Sequence, residues 1–182
     1  GGAGYIGEEV TQYEHAFQCY LLAKDYIDSN KNNLDFSNIS PYEIKMGAFL
    51  HDIGHLLEFE NTELKNMDGY GILNHELEGS NLLKSLGFSD NICKLTENHI
   101  NAKRYLITKD SNYYNKLSGA SKKTFEFQGG RMNIDEITKF ERDNLFFWYL
   151  KLRDWDDKAK STEKELLDYI KNYDMHKIFE KN

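Results

Sequence analysis

The sequence holds six histidines, and five of them, His15, His51, His55, His75 and His99, fall on or beside segments of helical periodicity. Only His176 stands in the terminal tail. Two of the five, with an aspartate, interrupt the apolar run FLHDIGHLL, residues 49 to 57, where a buried polar group costs free energy unless something satisfies it. A lone histidine on an apolar face is usually a satisfied core residue. Several of them with an adjacent Asp52 make a ligand set instead, and its mixture of imidazole nitrogen and carboxylate oxygen suits Fe, Mn or Zn rather than Ca or Mg, which prefer oxygen cages. The His51-Asp52 dipeptide matters because one carboxylate can bridge two ions while the neighbouring imidazole binds one. A late aspartate would complete the set. The segment LKLRDWDDKAK offers Asp154, Asp156 and Asp157, and spacing does not choose between them.

Ligand arithmetic limits what such a site can do. Two six-coordinate ions have about twelve positions, of which five terminal residues and a bridging carboxylate fill about seven and a bridging hydroxide about two. Roughly three stay open. A substrate that chelates through a pair of oxygens leaves a last position for O2 or for water, so the ligand set by itself admits both oxygenation and hydrolysis.

Cations cluster around the same residues. Lys103 lies four residues after His99, on the same helix face, and is aimed at the metals rather than at solvent. An ammonium beside metal cations is tolerable only with an anion between them, which points to a phosphate or phosphonate dianion. Arg153 stands three residues before Asp156 and shares its face, and its guanidinium can grip an oxyanion with parallel hydrogen bonds. Ser121 and Gln128 could add neutral donors, Ser121 being equally well placed to cap a helix. Tyr5 and Glu8 lie just upstream of His15, and the loop from 58 to 73, with Asn66, Met67, Asp68 and Tyr70, could form the far wall of a pocket. Arg104, one step round the helix from Lys103, is expected to face water.

Helices have to position these residues. A single proline, frequent Leu, Lys and Glu and repeated 3.6-residue patterns make the chain all-α, with about six or seven helices. Thr11 with Glu14, and Ser40 with Pro41 and Glu43, form capping boxes ahead of AFQCYLLAKDYI and YEIKMGAFLHD. Asn74 precedes HELEGSNLLKSL, which Gly87 can end in a left-handed cap, and Ser89 precedes NICKLTENHINAKRYL. Asn133 with Glu136 and Thr162 with Glu165 start two later helical stretches, the first broken near Asp143. The segment KKTFEFQGGRM, around Gly129-Gly130, is the one expected to be extended or turned, and residues 28 to 39 read as a loop. At 182 residues the chain reads as one domain, 1–182. A net charge of −7 argues against a nucleic-acid partner. No apolar run reaches the roughly 18 residues a membrane span requires. Cys19 and Cys93 lack CxxC spacing and are expected to be buried free thiols of a cytoplasmic protein. Oligomeric state is left open.

The pattern H…HD…H…H…D resembles the HD-domain superfamily of helical metalloproteins. Taken in order, YIGEEVTQYEH, HDIGH, NHE, ENHINAKRYL, FEFQGG and LRDWDDKAK resemble its PhnZ-type branch, mixed-valent diiron oxygenases that oxidatively cleave the C–P bond of 1-hydroxyphosphonates. The resemblance spans about residues 5 to 160. It implies an all-α HD-domain bundle around a dinuclear site, with His15, His51, Asp52, His75, His99 and Asp156 holding an Fe(II)/Fe(III) pair bridged by Asp52. It implies further that Lys103, Ser121, Gln128 and Arg153 receive the phosphonate, that Tyr5 and Glu8 act as a lid, and that His55 stands near the substrate rather than on a metal. O2 and a small 1-hydroxyalkylphosphonate would give a carboxylic acid and phosphate. The substrates so implied are 2-amino-1-hydroxyethylphosphonate, its trimethylammonium analogue and hydroxymethylphosphonate, and Glu8 would face an amino group. The alternative on the same ligands is a metal-dependent phosphohydrolase acting on a nucleotide or phosphomonoester. A noncatalytic module with a vestigial site is disfavoured because every expected ligand is present.

Overall fold

Capping chemistry decides where the first helices begin. The Thr11 hydroxyl accepts from the Glu14 N–H at 3.1 Å while the Glu14 carboxylate accepts from the Thr11 N–H at 2.8 Å, which opens α1 (Gln12–Asn30). Ser40 and Glu43 repeat the exchange for α2 (Pro41–Leu50), with proline in the first turn where no N–H is needed. A 3-10 helix, Ile53–Phe59, follows. Next come α3 (His75–Ser85) and α4 (Asp90–Lys109), two short helices, α5 (Ser111–Lys116) and α6 (Gly119–Phe127), and then α7 (Ile134–Glu141), α8 (Phe146–Lys158) and α9 (Lys164–Lys171). A short 3-10 helix, Met175–Ile178, closes the chain. This computed structural model describes residues 9–59 and 67–180. The fold is an all-α HD-type bundle, with nine α-helices and no strand among the described residues, rather than the six or seven helices read from the sequence.

The difference lies mostly between residues 111 and 130. The stretch KKTFEFQGGRM is helical up to Phe127 rather than extended, because Ser118 caps α6, its hydroxyl accepting from the Ser121 N–H at 3.2 Å. Phe125 then packs with Ile107 and Leu117 in a small satellite core. Gly129 and Gly130, at φ 95° and 63°, turn the chain out of the helix, and the Gly130 N–H closes on the Phe125 carbonyl at 3.1 Å. Three expected caps are not made. Asn74 takes a left-handed φ of 61° without a side-chain cap, the Ser89 hydroxyl donates to Glu43 Oε1 at 2.7 Å instead, and α9 starts after Glu163, one residue past Thr162. Gly87 does end α3 at a φ of 81°, and the break near Asp143 separates α7 from α8.

Helix α4 is the centre of the bundle and packs on α2, α3 and α8, while α1 packs on α2 and α8. One core, with Cys19, Ala23, Ile44, Ala48, Leu95, Tyr149 and Leu152, fills the space between α1, α2, α4 and α8. A second, with Phe17, Tyr20, Met46, Leu83 and Ile92, is closed by Ile170 and Ile178. Burying each large apolar side chain contributes about 1.5–3 kcal/mol, enough for these two cores to fix the relative placement of the ligand-bearing helices. Cys19 and Cys93 are buried and unpaired. No described helix is long and apolar enough to cross a membrane.

Candidate metal centre

Five elements converge on the histidines. His15 is on α1, His51 is the C-cap residue of α2 with Asp52 directly after it, His75 opens α3, His99 is midway along α4 and Asp156 is near the end of α8. The donors fall into two groups that share Asp52. In the first, His15 Nε2 lies 3.3 Å from His51 Nε2, 3.7 Å from Asp52 Oδ2 and 3.5 Å from Asp156 Oδ1. In the second, His75 Nε2 lies 3.1 Å from His99 Nε2, and these two stand 3.4 and 3.2 Å from Asp52 Oδ1. One oxygen of Asp52 therefore serves each group.

The opposite ring nitrogens fix the tautomers. Nδ1 of His15, His51 and His99 donates to the carbonyls of Ala159, Ala48 and Thr96 at 2.9, 2.9 and 2.7 Å, and Nδ1 of His75 to Ile72 at 3.3 Å. With the proton on Nδ1, each Nε2 presents a lone pair inward. Two lone pairs at 3.1–3.3 Å cannot hydrogen-bond to each other, so each imidazole pair needs a cation between its nitrogens. Ligands about 2.1 Å from a shared ion lie about 3 Å apart when adjacent, which is the spacing seen. The donors present therefore fit a nitrogen-and-carboxylate dinuclear centre. Burial pushes His15 down and keeps it neutral. Burial would raise Asp156, but Arg153 beside it, with His51 and His15, more than reverses this and holds the carboxyl well below its usual range. In Asp52 the neighbouring imidazoles likewise outweigh burial. Asp52 is also the most exposed of the six donors, its side chain 13% accessible, and opens onto a cavity.

That cavity, of about 60 Å3, is lined by His55, Lys103, Ser121, Gln128 and Arg153 together with four of the donors, Asp52, His75, His99 and Asp156. Lys103 is buried at 2% exposure and its ammonium donates to Thr124 Oγ1 at 2.9 Å and Gln128 Oε1 at 2.7 Å. Ser121 is in the first turn of α6 with Ser118 as the cap, which removes the capping reading for Ser121. His55 stacks on His75 at 3.9 Å, and burial followed by the neighbouring His75 lowers it to about 3. Its Nδ1 is buried without a hydrogen-bond partner among the described residues. Tyr5, Glu8 and Asn66 lie outside the described residues; Met67 and Tyr70 line the cavity.

Two arginines behave differently from expectation. Arg153 is not an open cation, since its guanidinium bonds Asp156 Oδ2 at 2.8 Å, Asp157 Oδ1, and the Tyr113 hydroxyl at 3.0 Å. Arg104 does not face water but donates to the Gly130 and Gly129 carbonyls at 2.9 and 3.3 Å and to Glu136 at 2.7 Å, fastening the turn after α6. Asp154 is exposed and pairs with Lys158.

Thr124, Lys160, Gln12, Tyr113 and Cys19 were not singled out by sequence reasoning as site residues. Thr124 is three residues after Ser121 and four before Gln128, a signal legible only once the segment is known to be helical. Cys19 Sγ, one turn after His15 and 3.8 Å from its Nε2, was visible in the spacing. Lys160 and Tyr113 carried no periodic signal.

The HD-domain family model matches residues 12–175. An uncharacterised protein of Acanthamoeba polyphaga mimivirus is 42% identical over 174 residues, covering 94% of this chain and 74% of the relative. A hydroxymethylphosphonate dioxygenase of Gimesia maris is 35% identical over 159 residues, 87% of this chain and 72% of the relative. A glycine-betaine-forming [1-hydroxy-2-(trimethylamino)ethyl]phosphonate dioxygenase of Leisingera caerulea is 34% identical over 169 residues, 93% and 79% respectively.

Proposed function

The chain belongs to the HD-domain family, in its PhnZ-type oxygenase branch, and we propose that it is a dioxygenase that cleaves the C–P bond of a small 1-hydroxyalkylphosphonate to a carboxylic acid and phosphate. The observation that carries this reading is the pair of imidazole groups sharing Asp52, set across one small cavity from a buried lysine. His15, His51, Asp52 and Asp156 would hold one iron, and Asp52, His75 and His99 the other, as an Fe(II)/Fe(III) pair. Such a pair, when bound, supplies the activation of O2 and the redox chemistry.

The chain's own residues bind and orient the substrate. Lys103 uses two of its three N–H donors on Thr124 and Gln128, leaving one for a phosphonate oxygen. Arg153 uses three of five, and its remaining donors with Ser121 and the Gln128 amide complete the anion wall. His55, neutral and with Nδ1 unpaired among the described residues, offers a hydrogen bond to the 1-hydroxyl or the phosphonate. Tyr5 and Glu8 would close the site and keep water out. For hydroxymethylphosphonate the products are formate, hydrogen phosphate and a proton. One O2 accepts the four electrons lost by carbon, and no external reductant is needed.

Size supports a small substrate. The cavity of about 60 Å3 holds roughly four to six water-sized groups at about 10–15 Å3 each, the bulk of a small hydroxyphosphonate and far less than a nucleotide. The relatives named for two different phosphonates support the same reaction class. The test is anaerobic loading with Fe(II), followed by O2 uptake and phosphate release with each of the three candidate phosphonates, and an EPR spectrum for a coupled mixed-valent pair. O2 consumed and phosphate released in equal amounts from at least one of them is expected. Phosphate release from a phosphomonoester without O2 uptake, together with no turnover of any hydroxyphosphonate, overturns the reading in favour of a hydrolase.

A further inference from the structure

Arg153, Asp157 and Tyr113 form a closed ring of polar contacts behind the metal centre. Arg153 Nη2 bonds Asp157 Oδ1, the Tyr113 hydroxyl donates to Asp157 Oδ2, and Arg153 Nε donates to the Tyr113 oxygen at 3.0 Å. Both oxygens of Asp157 are thus engaged, and the remaining side of the guanidinium is turned onto Asp156 Oδ2 at 2.8 Å. Arg153 is 3% exposed, so water does not substitute for these contacts. With Oδ2 held by Arg153, Oδ1 of Asp156 is the oxygen presented to His15, 3.5 Å from its Nε2. Among the described residues the other donor group shows no such side-chain brace. His75 and His99 are oriented by main-chain carbonyls, and Glu76, 3.7 Å from His75 Nδ1, is beyond hydrogen-bond distance.

On the dinuclear reading above, we propose that Tyr113 and Asp157 are positioning residues that set the Asp156 carboxylate through Arg153, and so govern one metal position without governing the other. Tyr113 comes from α5, the short helix that contributes no metal donor, which gives that helix a role at the centre. Partners that orient a metal ligand from behind are worth about 10- to 100-fold in metal affinity.

The experiment titrates the full chain with Mn(II) alone, followed by EPR and by calorimetry, for the wild type, Tyr113→Phe and Asp157→Asn. Tyr113→Phe keeps the ring and its packing and removes only the hydroxyl. The wild type is expected to take up two ions as a coupled pair. Each variant is expected to keep one ion at wild-type affinity and to bind the other about 10- to 100-fold more weakly, so that the signal of an isolated ion replaces that of the pair at intermediate Mn(II). A purely structural role would weaken both ions alike or neither, and either result overturns the proposal. A wild type that takes up fewer than two ions overturns the dinuclear reading and this inference with it, whereas an intact wild-type pair with unaltered variants overturns this inference alone.

Discussion

If the cavity receives an anion as proposed, Lys103 is the side chain through which proton and anion binding would be coupled. Burial, followed by the neighbouring Arg153, brings its ammonium down to about 7 from a usual value of 10.5. The sign follows from the proton count. Between these two values the unfolded chain holds a proton that the folded chain has lost, so the fold gains stability as pH rises across that window. Anion binding runs the other way, because a dianion favours the charged lysine and draws a proton onto it. Above about pH 8 a phosphonate is already a dianion, so its affinity should fall with rising pH as the lysine deprotonates. Calorimetry in buffers of different ionisation enthalpy should register proton uptake. Lys103→Met should weaken binding by about 10- to 100-fold, the range for a charge-assisted hydrogen bond, and remove the proton uptake. A wild-type affinity that is flat or rises over this range would contradict the anion role. Lys103 was legible in the sequence because it stands one turn from His99 on a helix with a sustained 3.6-residue apolar pattern. Its partner Thr124 was not, since the Gly129-Gly130 pair gives that segment an extended or turned pattern rather than a helical one.

At the level of elements, the site depends on two backbones touching. The 3-10 helix that carries His55 crosses the start of α3 at a pair of glycines, Gly54 and Gly79, and a Cβ at Gly54 would lie 1.9 Å from the His75 carbonyl oxygen. That approach is what stacks His55 on His75. Backbone cannot yield as a side-chain tip can, so Gly54→Ala should push the first turn of α3 outward and displace His75. The expected cost is about 1–3 kcal/mol of stability, the range for overpacking. Mn(II) stoichiometry should drop from two towards one, as the His15, His51 and Asp156 group is untouched. A variant that melts at the wild-type temperature and binds both ions would show that the contact is dispensable. The sequence announced the helices with sharp starts, because capping boxes such as Thr11–Glu14 and Ser40–Glu43 are local. It was silent about the glycine contact and about Tyr113, which meets Asp157 across 44 positions of sequence. Contacts of that kind exist only after the helices have packed.

For the molecule as a whole, a metal pair held as proposed would tie together helices that are far apart in sequence. The candidate donors come from α1, the end of α2, α3, α4 and α8, so each ion would link segments far apart in sequence. Without cations the same convergence is unfavourable, because four lone pairs and two carboxylates face one another at 3.1–3.9 Å in a buried space. Metal affinity is therefore folding free energy. An ion at one hundred times its dissociation constant adds about 2.7 kcal/mol to stability. For a chain of this length about 1 kcal/mol moves the melting temperature by about 2–4 °C, so each ion should contribute about 5–10 °C. Chelation should lower the melting temperature by that amount for each ion removed, and adding back Fe(II) or Mn(II) should restore it in two steps if the two positions differ in affinity. Asp52→Asn should abolish the coupled pair and with it most of the metal-dependent stabilisation, because both groups lose their shared charge. A melting temperature that chelation leaves unchanged would mean that the histidine cluster is held by the cores alone, and the metal-centre reading would fall.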